Sequence, residues 1–173
     1  FHVTSMYILV SHLEKEFGVH YAMGGVGAIA VAMAGVQPLA ETLAPHWPPG
    51  LPLVSCSKGL DLSTLATATQ LWAAQLPATP LLVLSGPNLA TEVRQGLPAA
   101  SVLACTAPDL ARELQRQLSD EALRLYTNGD PIGTEAAGAL KNVMAVAAGI
   151  ADGLCLGANA KASLLCRGLA EIG

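Results

Sequence analysis

The chain has 173 residues and a formal net charge of -4. That is enough chain for one domain with a substantial core, but the wrong sign of charge for binding nucleic acid or an anionic membrane. Hydrophobic residues make up 52% of the chain and charged residues only 13%, so we expect part of its apolar surface to be covered by something outside it. No apolar run is long enough to span a membrane, and the N-terminus lacks the pattern of a signal peptide.

The first thirty residues carry weak signals. We predict a strand at residues 6–10 and a short helix at 11–17. The pattern Gly25-x-Gly27-x-x-Ala30 matches a loose dinucleotide-binding fingerprint, which needs a strand directly before it and a helix starting within it. Residues 20–23 make a poor strand. We therefore favour a glycine turn that enters a buried strand over a cradle for a pyrophosphate.

From residue 28 onward, short apolar strands alternate with helices. Such strands indicate a mainly parallel sheet that is buried on both faces. Pro38 and Pro108 suit early helix positions, Asp61 or Ser63 can cap a helix, and residues 45–50 (PHWPPG) form a turn. The predicted strands are 28–33, 53–57, 81–84, 102–105 and 123–127, and the predicted helices are 36–43, 62–75 and 109–118.

The pattern changes near residues 128–132, where we place a domain boundary. Residues 1–130 are predicted to form an α/β domain, and residues 131–173 the start of a helical one. Asp152 and Gly153 are expected to break the first long helix, and Asn159 to cap the second.

Lys141 lies at the centre of the helical segment. Leu140, Val143, Met144, Ala147 and Ile150 recur at helical spacing and predict an apolar face, and Lys141 lies beside that face. Small neighbours, including Gly138, would leave a notch in the helix where another molecule could come close. A single lysine of this kind is more often a solvated residue, so its role depends on what faces it.

Two loops follow predicted strands, at the edge of a parallel sheet where ligands bind. Lys58 follows the strand at 53–57. Residues 85–88 (SGPN) follow the strand at 81–84, and Gly86 there allows close approach of the backbone. The amides of a helix after Pro87 could bind an oxyanion or phosphate. Each loop alone is a common feature. Both together form a candidate ligand site that Lys141 could face.

The four cysteines are scattered, without a C-x-x-C pair or a Cys/His cluster, which argues against a metal site. In the absence of a secretory signal we interpret them as buried, structural thiols of a cytoplasmic protein. They are Cys56, Cys105, Cys155 and Cys166.

Three segments together resemble bacterial NAD(P)-dependent glycerol-3-phosphate dehydrogenase, of the 6-phosphogluconate dehydrogenase-like superfamily. They are residues 57–59 (SKG), 84–100 (LSGPNLATEVRQGLPAA) and 139–171 (ALKNVMAVAAGIADGLCLGANAKASLLCRGLAE). The similarity covers roughly residue 29 to the C-terminus, and residues 1–28 match poorly. Asn88 stands where relatives often have Ser or Thr.

The resemblance implies a partial Rossmann-like sheet followed by an all-α domain, and reversible hydride transfer between glycerol 3-phosphate and dihydroxyacetone phosphate with NAD or NADP as cofactor. It assigns Lys141 as the acid/base, and Lys58, Gly86 and Asn88, together with Lys141, to substrate binding. Lys58 also lies near the cofactor, and Ala90 would make a backbone contact to the nucleotide. A lysine can serve as both acid and base only when its pKa approaches the working pH.

The resemblance also implies parts that lie outside these 173 residues. Relatives begin with a glycine loop well before the SKG motif, and continue into further helices after residue 173. The sequence therefore resembles the middle of the enzyme, and homodimers would suit its apolar helices.

Two alternatives stay open. One is a non-catalytic fragment or degenerate paralogue that serves as a binding or oligomerisation module. The other is a different member of the β-hydroxyacid dehydrogenase superfamily. Those relatives separate the helix lysine and asparagine by two or three residues, and the adjacent Lys141 and Asn142 argue against them.

Overall fold

The structure, a computed structural model, describes residues 22–23, 26–88 and 90–172. The predictions for residues 6–10 and 11–17, and Gly25 of the fingerprint, lie outside these ranges. Six strands of the described ranges form one sheet in chain order: β1 (Ala22–Met23), β2 (Val26–Ile29), β3 (Leu53–Ser55), β4 (Leu81–Ser85), β5 (Ala99–Ala104) and β6 (Leu123–Asn128). The helices are α1 (Met33–Leu43), a 3-10 turn (Ala44–His46), α2 (Ala68–Gln75), α3 (Ala90–Arg94), α4 (Pro108–Leu118), α5 (Pro131–Gly153) and α6 (Gly157–Ile172).

The sheet is mainly parallel, as predicted. Strands β2, β3 and β4 run parallel, and so do β5 and β6. β1 is antiparallel to β2, and β5 is antiparallel to β4, with Ser85 opposite Val102. The antiparallel pair places the start of β5 beside the end of β4.

Apolar side chains cover both faces of the sheet. Successive residues of a strand point to opposite faces, so Leu53 joins the cluster under α1 and α2, while Val54 joins the cluster under α4. Trp72 is completely buried in the first cluster, and Leu103 in the second. The predicted α/β layer with a sheet buried on both faces is confirmed.

Strand β2 and helix α1 begin earlier than predicted. The segment 28–33 was expected to be a strand, but β2 ends at Ile29 and α1 begins at Met33. Methionine and alanine favour helix over strand, so the apolar run divides between the two elements. Pro38 consequently lies inside α1 rather than near its start.

The predicted helix at 62–75 is wrong in its first half. Asp61 accepts hydrogen bonds from the main-chain N–H and the hydroxyl of both Ser63 and Thr64, and these bonds lower the pKa of its carboxyl group to about 2. Such side-chain bonds to nearby backbone compete with helix formation. α2 therefore starts at Ala68, and its cap is Thr67, which accepts from the N–H of Gln70.

The second long helix also begins before its predicted cap. α5 ends at Gly153 as expected, but α6 begins at Gly157, so Asn159 lies inside its first turn. The N–H of Cys155 donates to Asp152 O, and that of Leu156 to Ala151 O. This tight turn returns the chain to helical geometry before residue 159. The boundary predicted near 128–132 falls between β6 and α5, and the division into domains stays a prediction.

Two of the four cysteines are not buried, contrary to prediction. Cys105 is buried and Cys56 half-buried, but Cys155 and Cys166 are exposed, and all four are free thiols. Both exposed thiols lie at or after the end of α5, where much of the helix surface is uncovered. In the described part of the chain, no helix is both long and apolar enough to cross a membrane.

Gly27 lies within β2, packed against an aromatic ring. A Cβ atom at this position would clash with the Trp47 ring, and the Trp47 indole N–H donates to Leu51 O at 3.0 Å. The favoured interpretation put Gly27 in a turn before a strand, whereas the structure puts it in the strand itself. Its lack of a side chain makes room for the Trp47 ring.

Gly27→Ala should destabilise the chain by about 1–3 kcal/mol, the usual cost of overpacking, because the new methyl group would displace the Trp47 ring. The double variant Gly27→Ala/Trp47→Leu should recover part of that loss. Urea unfolding followed by circular dichroism measures both. An unchanged midpoint for Gly27→Ala would show that the ring does not require glycine there.

Candidate functional site

Two lysines from distant parts of the chain meet at one carbonyl group. Lys58, three residues beyond β3, donates its Nζ–H to Gly86 O at 2.8 Å. Lys141, in α5, donates to the same oxygen at 3.4 Å. A backbone carbonyl has two lone pairs and can accept both bonds. The structure thus brings together Lys58, Gly86 and Lys141, three of the five residues that the resemblance assigns to the site.

Gly138 allows α5 to approach the end of β4. It is buried one turn before Lys141, and a Cβ atom there would lie 2.9 Å from Ser85 Oγ. The small-residue notch was expected to admit another molecule. At Gly138 the chain's own strand β4 fills it instead, and this contact brings Lys141 to the sheet edge.

The predicted apolar face of α5 does not face the sheet. Leu140, Val143 and Ile150 are 48%, 62% and 58% exposed. The helix packs on the α/β layer through small and polar residues, since Thr134, Glu135 and Gly138 are its buried positions near the sheet. The exposed stripe agrees with the expectation that some apolar surface is covered from outside the chain.

Gly86 is pressed against the antiparallel strand β5. A Cβ atom at Gly86 would lie 2.5 Å from Ser101 Oγ and 2.8 Å from Ala100 O. Ser101 is buried, and its hydroxyl also accepts a hydrogen bond from Asn88 Nδ2. Ser101 therefore packs closely against Gly86 and bonds Asn88, at the two ends of this loop. Sequence reasoning missed it because the predicted strand began at residue 102.

Asn88 and Ala90 lie further along the same loop. The Asn88 amide group is held by Ser101 through its nitrogen, which leaves its carbonyl oxygen without a bond to the described residues. Ala90 is the first residue of α3. In the described part of the chain, neither residue forms a hydrogen bond to Lys58 or Lys141. The structure therefore places Asn88 and Ala90 in the loop that follows Gly86, but not in direct hydrogen bonding with the lysines.

The electrostatics of the site are set by burial and by like charge. Burial lowers the pKa of Lys58, and the nearby Lys141 lowers it further through its charge and its hydrogen bonding. Burial also raises the pKa of the Cys56 thiol to about 11, although the charge of Lys58 opposes this. Burial therefore disfavours the nucleophilic thiolate form of Cys56.

Two lysine amines at this edge of the sheet suit an anionic ligand with a carbonyl or hydroxyl group. One amine can attract the anionic part while the other exchanges a proton with the reacting oxygen. A metal ion is a poorer fit for this site, which offers cations. Across the described part of the chain, no group of three or more Asp, Glu, His or Cys side chains is placed to hold one.

Comparison with known proteins identifies the relatives of this chain. Residues 11–111 match the family described as NAD-dependent glycerol-3-phosphate dehydrogenase N-terminus, and residues 130–173 match the corresponding C-terminus family. A glycerol-3-phosphate dehydrogenase [NAD(P)+] of Synechococcus sp. (strain RCC307) is 62% identical over 143 residues, which is 83% of this chain and 47% of the relative. One from Gloeobacter violaceus is 48% identical, over 87% of this chain and 52% of the relative.

A solved structure supports the same relationship. The crystal structure of glycerol-3-phosphate dehydrogenase from Coxiella burnetii superposes with a TM-score of 0.74 at 36% identity, over 84% of this chain and 45% of that one. This chain thus spans about half the length of the relatives it matches. With both family matches and this fold in agreement, the chain belongs to the NAD-dependent glycerol-3-phosphate dehydrogenase family.

Proposed function

We propose that this chain carries the acid/base half of an NAD(P)-dependent glycerol-3-phosphate dehydrogenase, which interconverts sn-glycerol 3-phosphate and dihydroxyacetone phosphate for glycerophospholipid synthesis. The observation that carries the proposal is the convergence of Lys58 and Lys141 on Gly86 O. Relatives that are up to 62% identical to this chain bear the name of that enzyme. The substrate is a phosphate ester with one reacting oxygen, which suits two neighbouring amines.

Lys141 is the acid/base of this mechanism. Oxidation of a secondary alcohol requires a base that takes the hydroxyl proton, and the neutral amine of Lys141 does so. In the reverse direction the Lys141 ammonium group polarises the ketone and returns the proton. Gly86 O orients Nζ for both steps because it accepts one of its N–H bonds.

Lys58 holds the anionic substrate beside Lys141. Its charge attracts the phosphate-bearing molecule, and its bond to Gly86 O fixes the amine at the strand end. The carbonyl oxygen of the Asn88 amide group accepts from a substrate hydroxyl group, and the main chain at Ala90 contacts the nucleotide. A bound nicotinamide cofactor supplies the hydride acceptor or donor at this edge.

The proposal extends to NAD or NADP as cofactor, a homodimer and a cytoplasmic location. The four free thiols suit a reducing compartment. The exposed apolar residues of α5 and α6 suit a subunit interface.

Lys141→Met should lower kcat by about 10³-fold, within the range of general acid–base catalysis, while cofactor binding persists. The measurement uses a chimaera in which the segment of the Synechococcus relative that matches this chain is replaced by the corresponding residues of this chain. Lys161→Met is the matched control, because Lys161 lies in α6 and pairs with Asp152 at the surface. Substantial turnover in Lys141→Met would refute the assignment.

The same variant should raise the pKa of Lys58. Lys141 disfavours the ammonium form of Lys58, so its removal restores part of the ordinary value; burial, the larger cause, remains. NMR titration of the chain with labelled lysine measures this directly, since the sequence has only four lysines. Lys161→Met should leave Lys58 unchanged. An unmoved Lys58 in Lys141→Met would show that the two amines do not interact.

A non-catalytic binding or oligomerisation module is the second candidate, favoured by the uncovered apolar stripe of α5. Turnover of the chimaera, together with its binding of NADH and NADPH followed by fluorescence, separates the two. Turnover supports the dehydrogenase. A folded chimaera that binds neither nucleotide and shows no turnover supports the second candidate.

A further inference from the structure

A buried carboxylate joins α5 to the α/β layer ahead of Lys141. Glu135 is only 5% exposed. Its Oε1 accepts from the main-chain N–H of Thr69 at 2.9 Å, and its Oε2 accepts from the Thr69 hydroxyl. A carboxylate is rarely buried unless hydrogen bonds replace its water, and Thr69 supplies both bonds from 66 positions earlier in the chain.

The partner of Glu135 is the N-terminus of a capped helix. Thr69 is the second residue of α2, whose cap Thr67 already accepts from the N–H of Gln70. The amide groups and dipole at a helix N-terminus favour a negative charge. Glu135 thus satisfies a free donor of α2 with a charge-assisted bond, which ties the two helices at a fixed point.

Three contacts of α5 follow one another at three-residue steps. Glu135 binds α2, Gly138 lies against Ser85 of β4, and Lys141 reaches Gly86 O. Residues three apart form one ridge of a helix. With a rise of about 1.5 Å per residue, Glu135 lies about 9 Å before Lys141 along the axis.

The last of these contacts is the one most sensitive to a shift of α5. The Lys141 bond is long, at 3.4 Å, whereas the Glu135 bond to the Thr69 N–H is 2.9 Å. A slide of α5 away from the strand end by about one residue rise, 1.5 Å, would lengthen this contact beyond hydrogen-bonding distance for the same lysine rotamer. The axial position of the helix therefore influences how closely Lys141 approaches Gly86 O and Lys58.

We propose that Glu135 is a positioning residue, which fixes the register of α5 on α2 so that the Lys141 amine is held at Gly86 O beside Lys58. Glu135 touches neither lysine and acts only through the helix. Its effect on turnover rests on the function proposed above, whereas its effect on the lysine geometry does not.

Glu135→Asp tests the geometry, because it keeps the charge and shortens the reach to Thr69 by one methylene group. In NMR titrations of the 173-residue chain, the pKa of Lys58 should move upward, toward its value in Lys141→Met. Glu135→Gln keeps the length, and its amide group can still pair with both groups of Thr69, so Lys58 should titrate near its wild-type pKa. Thr134→Ala, at the buried neighbour, is the matched control and should leave Lys58 unchanged.

Thr69→Val removes only the hydroxyl donor and keeps the main-chain N–H, so it serves if Glu135→Asp fails to fold. Thr69→Val should raise the pKa of Lys58 by less than Glu135→Asp does. Thr69→Ser, which keeps the hydroxyl group, should leave that pKa unchanged. A wild-type pKa for Lys58 in both folded Glu135→Asp and folded Thr69→Val would overturn the proposal. So would a shift in Thr134→Ala as large as in Glu135→Asp.

Turnover is measured separately in the chimaera. Glu135→Asp should lower kcat per folded active site by about 10- to 100-fold, as expected for a misplaced catalytic group, with little change in KM. Glu135→Gln should retain most of the activity. If the Lys58 pKa moves but kcat does not, the positioning role stands and the catalytic role of Lys141 falls. If kcat falls while the pKa of Lys58 stays at its wild-type value, the positioning role is wrong.

Discussion

The site depends on a single carbonyl oxygen. Gly86 O is the acceptor shared by Lys58 and Lys141, and without it two like charges would have no reason to remain close. The oxygen is in turn fixed by its surroundings, since Gly86 is pressed against β5 with no room for a side chain. A main-chain group is a suitable anchor because it is part of the sheet edge and cannot rotate away as a side chain can. The main chain at Gly86 therefore determines the positions of both amines.

The second constraint is how the long helix meets the sheet. α5 turns small and polar residues toward the α/β layer and leaves Leu140, Val143 and Ile150 largely exposed. A glycine contact and a bidentate carboxylate bond both restrict the axial position of the helix, because each requires a specific distance. The interface consequently gains less stabilisation from apolar burial, but its contacts specify the position of the helix on the α/β layer. This exchange is reasonable where one amine must be placed within hydrogen-bonding distance of a fixed oxygen.

Sequence reasoning found the elements of the site whose signals are local. Lys58 and Gly86 follow apolar strands, and the motif around Lys141 marks the helix that faces them. It missed Ser101 and Glu135, because their roles depend on an antiparallel strand pair and on a bond across 66 residues, neither of which leaves a periodic pattern. The helical period located the apolar face of α5 correctly, but a period does not say what covers a face. The Asp61 turn was missed because four side-chain bonds outcompeted the helix.

The half-buried thiol next to the site has a consequence for redox chemistry. Cys56 lies two residues before Lys58, and cysteines beside a lysine are commonly the ones that peroxide and electrophiles attack. Here burial outweighs the lysine and raises the thiol pKa to about 11, which disfavours the reactive thiolate at pH 7. Oxidation to a sulfenic acid starts from the thiolate. The same low-polarity packing that depresses the charge of Lys58 thus protects its neighbour from oxidative damage.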